Sequence, residues 1–450
     1  MTNAKAWRRW AALLLPGCAF GGCMAAAEPA PVIEQVAPQP QLQSEQCWTP
    51  SGAVVATAPG VLRIATFNVA LFRDRAGGLV ADLASAEDQL EVRGSDRQVR
   101  AIAEILQRVR PDIVLLNEFD FDAEGEGLRR FQRQFLDQSQ GDQPPLSYPY
   151  VYSAPSNTGV PTGLDLDGDG RRDGPADAMG YGQFPGQYGM ALLSRHPIDF
   201  DAVRTFQSFL WRDMPEAVLP VDFYGPAVQQ VLRLSSKSHW DVPIAIGDQV
   251  LHVLAAHPTP TVFDGPEDRN GRRNHDEIRL WADYVAEPEQ ARYLYDDTGR
   301  RGGLAPDSPF VILGDYNADP VDGDSLEQAI RQLLESPAVD ASVIPASLGG
   351  AEDAALEGGS NSDQRGNPAY DTADFGRAGP GNLRIDYVLP SAAGLEPLCG
   401  GVFWPALDRP GRELVGDGKP VVSSDHRLVW LDVRLRGQGQ RQDQGAVAGR

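Results

Sequence analysis

Five short apolar runs in this chain each lead into a carboxylate or amide side chain, and this pattern constrains the fold more than any other feature. A single residue of this kind is usually a turn residue or a helix cap. Five together predict buried strands whose ends meet at one edge of a sheet, where hard oxygen ligands would suit Mg²⁺, Mn²⁺ or Ca²⁺. The residues concerned are Asn68, Glu118, Asp315 with Asn317, Asp386, and Asp425 with His426.

Strand-like and helix-like patterns alternate between these residues. Apolar runs predict strands at residues 61–67 and 113–116, and helical spacing between them predicts a helix over 96–108 that ends before Pro111. Further strands are predicted at 189–193, 250–255, 310–313, 384–388 and 428–433, and a second helix at 274–285. This alternation indicates one α/β domain over residues 59–436 with enlarged loops.

The composition is that of a globular and strongly acidic protein. Of its 450 residues 42% are apolar, and the formal net charge is −22. Such a surface repels polyanions, so nucleic acid or an anionic membrane would need a local basic groove or bound cations to approach. Duplex nucleic acid is therefore possible but not favoured as a partner. The sequence does not indicate an oligomeric state.

The N-terminus has the three-part layout of a secretory signal over residues 1–27. Arg8 and Arg9 precede a short apolar run and then small residues. Cleavage before Cys18 would give a lipoprotein, and cleavage after Ala27 would give a soluble product. Either way we predict export, with a periplasmic, secreted or outer-surface location and a lipid anchor as the only membrane attachment. Residues 28–58 are predicted to be a linker and residues 437–450 a disordered tail.

Two cysteines, Cys47 and Cys399, lie beyond the signal region. An even pair in an exported chain predicts one disulfide. The alternative is two buried thiols.

The segment from Asp165 to Asp173 is similar to a calcium-binding loop. Acids stand at loop positions 1, 3, 5 and 9 and glycine at position 6, but position 12 is Ala176 in place of glutamate. A solvated acidic turn is the alternative to a structural Ca²⁺ site. The predicted ligands are Asp165, Asp167, Asp169 and Asp173.

Six motifs, in the same order along the chain, resemble the endonuclease/exonuclease/phosphatase superfamily over about residues 60–433. The resemblance implies a four-layer α/β/β/α sandwich and a divalent-metal-dependent hydrolase of phosphoester substrates. It implies Mg²⁺ or Mn²⁺ as the catalytic ion. The motifs are Thr66-Phe67-Asn68, Leu116-Asn117-Glu118, the segment from Tyr188 to Arg195, Gly314-Asp315-Tyr316-Asn317-Ala318-Asp319, Arg384-Ile385-Asp386-Tyr387-Val388 and Ser424-Asp425-His426.

The same resemblance implies a metal site and names its ligands. Glu118 would be the principal ligand, and Asn68 and Asp425 would complete or support the site.

The catalytic roles are also carried over from the resemblance. Asp315 would orient and deprotonate the attacking water, and Asn317 would fix its position. Asp386 would hold His426 in a charged form that stabilises the phosphoryl oxygens. This is in-line displacement at phosphorus, in which a cation and an imidazolium offset the developing charge.

Three further residues are weaker candidates. His257 matches the position where the family places a histidine or tyrosine against the phosphate, and a capping or core histidine is the alternative. Prolines follow it where nucleases often have an amide, which disfavours duplex DNA. Lys237 and His239 could reach the substrate through a hairpin, or could lie on an exposed edge strand.

These observations favour an exported phosphodiesterase or phosphatase that acts on a small or non-duplex substrate. Two alternatives stay open. One is an extracellular nuclease, and the other is a non-catalytic calcium-binding surface lipoprotein. The complete set of candidate catalytic residues argues against the second, because a binding protein does not need them.

Overall fold

The apolar runs of the sequence form the strands of two large β-sheets in the computed structural model, which describes residues 54, 57–85, 94–416 and 421–437. The predicted signal, most of the predicted linker, most of the predicted tail and Cys47 lie outside the described residues. The predicted domain boundaries therefore stay predictions. No helix in the described ranges is both long and apolar enough to cross a membrane.

Thirteen strands and nine α-helices are present in the described part of the chain. The strands are β1 (Val61–Leu71), β2 (Ile113–Phe119), β3 (Tyr150–Tyr152), β4 (Met190–Ser194), β5 (Arg204–Thr205), β6 (His239–Ile246), β7 (Gln249–Ala256), β8 (Phe310–Asp315), β9 (Ala373–Asp374), β10 (Asn382–Leu383), β11 (Asp386–Pro390), β12 (Leu395–Val402) and β13 (Val429–Leu435). The helices are α1 (Gly78–Ser85), α2 (Gly94–Val109), α3 (Glu126–Phe131), α4 (Pro226–Val231), α5 (Arg269–Tyr284), α6 (Pro288–Ala291), α7 (Arg331–Leu334), α8 (Leu348–Glu357) and α9 (Arg412–Val415).

The strands are arranged in two main sheets and one small one. The first sheet has the order β12-β13-β1-β2-β4-β3, and only β1 and β2 are parallel within it. The second has the order β11-β8-β7-β6-β5, with β7 and β8 parallel. Strands β9 and β10 form a separate antiparallel pair.

Side chains of the second sheet alternate between two cores, as the period of a strand requires. Val253 and Ala255 belong to the core shared with the first sheet and with α1, α2 and α3. Their neighbours Leu254 and Ala256 belong to the other core, together with Trp281 of α5. The layers are therefore helix, sheet, sheet and helix, and the predicted four-layer α/β/β/α sandwich is confirmed.

The predicted position at the end of a strand is correct for Asp315 and Asn317 and wrong for Asp386, Asp425 and His426. Asn68 and Glu118 lie inside β1 and β2, which run further than predicted, and Asp315 ends β8. Asp386 instead begins β11, and His426 precedes β13. These two strands are antiparallel to β8 and β1, so their first residues reach the edge at which β8 ends.

The predicted disulfide is not decided by the fold. Cys399 lies partly buried on β12. Because Cys47 is outside the described residues, the pairing stays a prediction.

Candidate active site

One carboxylate oxygen is the meeting point of three side chains from different parts of the chain. Asp315 Oδ2 accepts a hydrogen bond from Asn68 Nδ2 at 3.0 Å. It lies 3.4 Å from His257 Nε2 and 3.7 Å from His426 Nε2. Since Asp315 is 1% exposed, this cluster is shielded from bulk water. Residues as far apart in sequence as Asn68 and His426, 358 positions, are thus brought together.

His426 lies between two buried carboxylates. Its Nδ1 is 2.9 Å from Asp386 Oδ2, and the Thr372 hydroxyl donates a hydrogen bond of 2.8 Å to the same oxygen. Burial alone would lower the pKa of His426, but the charges of Asp386 and Asp315 raise this pKa well above its ordinary value. The two carboxylates therefore favour the charged form of the ring.

The pKa values of the two aspartates that flank His426 are shifted in opposite directions. Burial would raise the pKa of Asp315, but His426 and His257 hold it well below the usual range. Burial is the largest influence on Asp386 and raises the pKa of its carboxyl, and His426 opposes this effect. The pKa of Asp315 is thus lowered and that of Asp386 is raised, so Asp315 is the more readily ionised of the two carboxyl groups.

These three residues could also be regarded as a metal-ligating group, because their ligand atoms lie within 4.8 Å of one another. A protonated imidazole has no lone pair to offer to a metal. Because His426 is held in its charged form, we interpret Asp315, His426 and Asp386 as an ion-pair network.

His257 differs from His426 in its charge. Burial and the neighbouring Lys237 lower the pKa of His257 to about 4, although Asp315 acts in the opposite direction. A neutral His257 can donate one hydrogen bond toward Asp315. Its Nδ1 is buried and has no hydrogen-bond partner among the described residues.

Asn317, two residues after the end of β8, adopts a left-handed backbone conformation with φ of 50°. Its N–H donates to Asp315 Oδ1 at 2.9 Å, and its Nδ2 donates to the carbonyl oxygen of Pro258 at 3.1 Å. The residue therefore fixes one oxygen of Asp315 and ties it to the segment after His257. A strained backbone of this kind is common at functional sites.

Glu118 has the electrostatic setting of a cation ligand. Burial, Asp425 and Asp315 raise the pKa of Glu118 to about 7, and His426 and Lys237 act in the opposite direction. Its φ of 58° is unusual for a residue other than glycine. A divalent cation would neutralise the excess of negative charge around this carboxylate.

The donor set around Glu118 fits a hard divalent ion. It consists of the carboxylates of Glu118 and Asp425 and the amide of Asn68, whose position on β1 is next to β2. Oxygen ligands of this kind are those that Mg²⁺ and Mn²⁺ prefer. Metal binding by these three residues stays a prediction.

Lys237 lies inside the molecule, where its charge faces the site. It is 6% exposed, and the carboxylates of Glu277, Glu118 and Asp315 favour its charged form. Burial still lowers the pKa of its ammonium overall. An exposed edge position, the alternative for this residue, is wrong.

His239 is not available to a substrate, which corrects the prediction made for it. Its Nδ1 lies 3.0 Å from the Ser235 hydroxyl and its Nε2 lies 2.9 Å from the carbonyl oxygen of Glu277. Burial lowers the pKa of His239 to about 4. With both ring nitrogens occupied and the ring against Trp281, this histidine is part of the packing.

Two residues of the site were missed by sequence reasoning. Thr372 holds Asp386, and it also accepts hydrogen bonds of 3.0 Å from the backbone N–H groups of Ile385 and Asp386. Glu277 is a buried carboxylate on α5 near Lys237. Neither residue belongs to a motif, so only the tertiary structure reveals them.

The acidic loop is organised differently from the prediction. Asp165, Asp167 and Asp177 bring ligand atoms within 4.8 Å of one another, and neither Asp169 nor Asp173 belongs to this group. Asp169 accepts from the Arg171 N–H, and Asp173 pairs with the Arg171 side chain. Calcium binding stays a prediction.

The fold and this site define a class of protein in which an Asp-His pair, a second aspartate and a glutamate meet at one edge of a two-sheet sandwich. The chain belongs to the Endonuclease/Exonuclease/phosphatase family, whose model matches residues 65–426. The reactions that this family name covers are cleavages of phosphoester bonds. No curated protein has a sequence that matches this chain significantly.

Several solved structures are similar to this chain in fold. An endonuclease/exonuclease/phosphatase from Beutenbergia cavernae is 19% identical, with a TM-score of 0.46 over 84% of this chain and 72% of the other. Sphingomyelinase C from Streptomyces griseocarneus is 15% identical, with a TM-score of 0.44 over 83% and 99%. A family protein from Leptotrichia buccalis is 14% identical, with a TM-score of 0.41 over 84% and 100%. Similarities at this level do not bear on the substrate.

Proposed function

We propose that this protein is an exported, divalent-metal-dependent phosphoester hydrolase that cleaves a phosphodiester or phosphomonoester by in-line attack of water. The observation that carries the proposal is the contact of one Asp315 oxygen with Asn68, His257 and His426. These contacts hold an anion next to an imidazolium, the pair of charges that water attack at phosphorus requires.

The nucleophile is a water molecule bound against Asp315. As the new P–O bond forms, the water proton passes to this carboxylate and the bond to the leaving oxygen breaks. Hydrogen bonds from Asn68 and from the N–H of Asn317 hold the two carboxylate oxygens in place, so the base is oriented before the substrate arrives.

His426 and Lys237 supply positive charge where the phosphoryl oxygens gain negative charge. The Asp386 carboxylate keeps His426 protonated and fixes the direction of its ring. A divalent ion held by Glu118, Asn68 and Asp425 would act as a Lewis acid toward the same oxygens.

The substrate is small or lacks duplex structure. The net charge of −22 opposes the approach of a long polyanion. In addition, the segment after His257 directs the Pro258 carbonyl to Asn317 and carries Pro260, so it offers no amide side chain to a nucleic acid.

Hydrolysis of chromogenic substrates tests the proposal. Bis(p-nitrophenyl) phosphate and p-nitrophenyl phosphate are compared with Mg²⁺, Mn²⁺, Ca²⁺ or chelator, and linear duplex and single-stranded DNA serve as further substrates. We expect release of nitrophenol that stops when chelator is added. We also expect the chromogenic substrates to be turned over faster than duplex DNA is cleaved. Activity that persists with chelator would exclude metal dependence, and preferred cleavage of duplex DNA would favour the nuclease alternative.

Export and calcium binding are separate parts of this proposal. The basic and apolar pattern of residues 1–27 supports export, and fractionation of expressing cells with cleavage-site sequencing would decide between the two cleavage positions. The acidic loop supports a structural Ca²⁺ ion distinct from the catalytic one.

A further inference from the structure

A buried carboxylate on α5 joins two loops that carry residues of the active site. Glu277 is 0% exposed. Its Oε1 accepts a hydrogen bond of 2.6 Å from the Ser236 N–H, and its Oε2 accepts one of 2.6 Å from the Thr259 N–H. Ser236 directly precedes Lys237, and Thr259 lies two residues after His257. One side chain therefore links the backbone at both positions.

This link is placed where the sheet no longer holds the two loops. Strands β6 and β7 are paired from Ile246 and Gln249 up to His239 and Ala256, where the ladder ends. Beyond that pair, the Glu277 side chain accepts hydrogen bonds from the backbone N–H groups of Ser236, before β6, and Thr259, after β7. The backbone carbonyl oxygen of Glu277 also lies 2.9 Å from His239 Nε2, so the buried His239 side chain connects the end of β6 to α5.

A second side chain of α5 extends the connection to β8. Asn274 Nδ2 donates hydrogen bonds of 2.8 Å to the carbonyl oxygens of Thr259 and Tyr316. Tyr316 stands between Asp315 and Asn317. Residues three apart lie on the same face of a helix, so Asn274 and Glu277 together present one polar face to three loops of the site.

We propose that Glu277 is a positioning residue of this active site, which fixes Lys237 and His257 relative to each other and to Asp315. The inference rests on the proposed function. Both hydrogen bonds are 2.6 Å long, which is short for a bond from a backbone N–H group to an oxygen. The positive charges of Lys237 and Arg273 interact with the same buried carboxyl group.

The variant Glu277→Gln removes this link with little change of shape. A glutamine can accept one N–H through its oxygen, but its NH₂ group then faces the other N–H, and one loop is released. Since Lys237 and His257 lie around Asp315, which acts as the base in the proposed mechanism, loss of their alignment should lower kcat more than it raises KM.

Asp276, the preceding residue of α5, provides a matched control. It is also 0% exposed, and it accepts hydrogen bonds from the Trp211 side chain at 2.6 Å and from the Val218 N–H at 2.9 Å. Trp211 belongs to the same core as Trp281 of α5, and neither partner lies in a loop that carries a residue of the site. The variant Asp276→Asn should therefore destabilise the protein without a change in the alignment of Lys237 and His257.

The experiment measures kcat, KM and Tm for wild type, Glu277→Gln and Asp276→Asn with bis(p-nitrophenyl) phosphate. We expect Glu277→Gln to lower kcat about tenfold or more with KM changed less than about threefold, and Asp276→Asn to keep kcat within about twofold at a similar loss of Tm. Retention of kcat by Glu277→Gln, or an equal fall of kcat in both variants, would overturn the proposal.

A second variant covers the case in which Glu277→Gln does not fold. Glu277→Asp keeps a carboxyl group but is too short to reach both N–H groups, and the same fall in kcat is expected. If neither variant folds while Asp276→Asn does, Glu277 is a folding residue and the proposal fails. The proposed function is judged separately, by the activity of wild type and its loss in His426→Ala.

Discussion

Asp386 and His426 form a buried pair in which the carboxylate oxygen lies 2.9 Å from the ring Nδ1. The opposite ring nitrogen, Nε2, lies 3.7 Å from Asp315. The imidazole is therefore fixed at one side by Asp386 and directed toward Asp315 at the other. In the proposed mechanism the first aspartate holds the ring and the second binds the reacting water.

Removal of the Asp386 charge should shift the pH dependence of activity. The pKa of His426 is raised well above its ordinary value, so the protonated ring contributes stability below the unfolded pKa of about 6.5, and this contribution is lost as pH rises through the folded pKa. In Asp386→Asn we expect the alkaline limb of kcat/KM to move to lower pH and the stability advantage at low pH to shrink. Identical pH profiles for both proteins would remove Asp386 from this role.

The pKa of Glu118 predicts a pH-dependent metal requirement. Because burial and neighbouring carboxylates raise this pKa to about 7, a metal must displace a proton below that pH. The metal concentration for half-maximal activity should rise as pH falls below about 7 in wild type. In Glu118→Gln the metal concentration for half-maximal activity should be at least about tenfold higher and should no longer depend on pH in this range, because a ligand is weakened.

The exposed Glu124, on the loop after β2, gives the control for that titration. Glu124→Gln changes the net charge by the same amount and should leave the metal titration unchanged. A Glu118→Gln protein that titrates like Glu124→Gln would show that Glu118 does not hold the ion.

Calcium binding by the acidic loop can be tested with two single variants. Asp167 belongs to the group with Asp165 and Asp177, whereas Asp169 does not. We predict that Ca²⁺ raises Tm in wild type, that Asp167→Ala abolishes the increase, and that Asp169→Ala keeps most of it. Turnover with Mg²⁺ should survive in both variants. If wild type shows no Ca²⁺-dependent increase in Tm, the loop is an acidic turn.

Cys47 and Cys399 are predicted to form a disulfide. Closure of a loop of about 350 residues would disfavour the unfolded chain by roughly 4 to 5 kcal/mol in the entropy model. Intact-mass measurement after alkylation without reductant should show no modification at either cysteine, and peptide mapping should show them linked. Alkylation of both thiols in the folded, air-exposed protein would contradict the pairing.

The sequence was sufficient for the strands of five or more residues that are buried along their whole length, namely β4, β8 and β11. The residues of β8 are all buried, so a continuous apolar run identified the strand. Strand β12 was not predicted, because it contains Pro397, Gly400 and Gly401 and four of its residues are only partly buried. Its position is set by pairing with β13, which no local pattern reveals.

The same difference applies to the site. Residues in motifs, such as Asp315 and His426, were found from the sequence because their neighbours are distinctive. Glu277 was not found, because a single acid in an amphipathic helix gives no sign that it is buried. His239 was misjudged for the opposite reason, since its proximity to Lys237 in sequence does not tell which way its ring points.

The central claim is that Asp315 is the base in a metal-dependent hydrolysis of phosphoesters. The most direct test is turnover of bis(p-nitrophenyl) phosphate, with Mg²⁺ or Mn²⁺, by wild type and by Asp315→Asn. Asparagine keeps the shape but cannot take the water proton, so we predict a fall in kcat of about a hundredfold or more with little change in Tm. Near-normal turnover by Asp315→Asn would contradict the account.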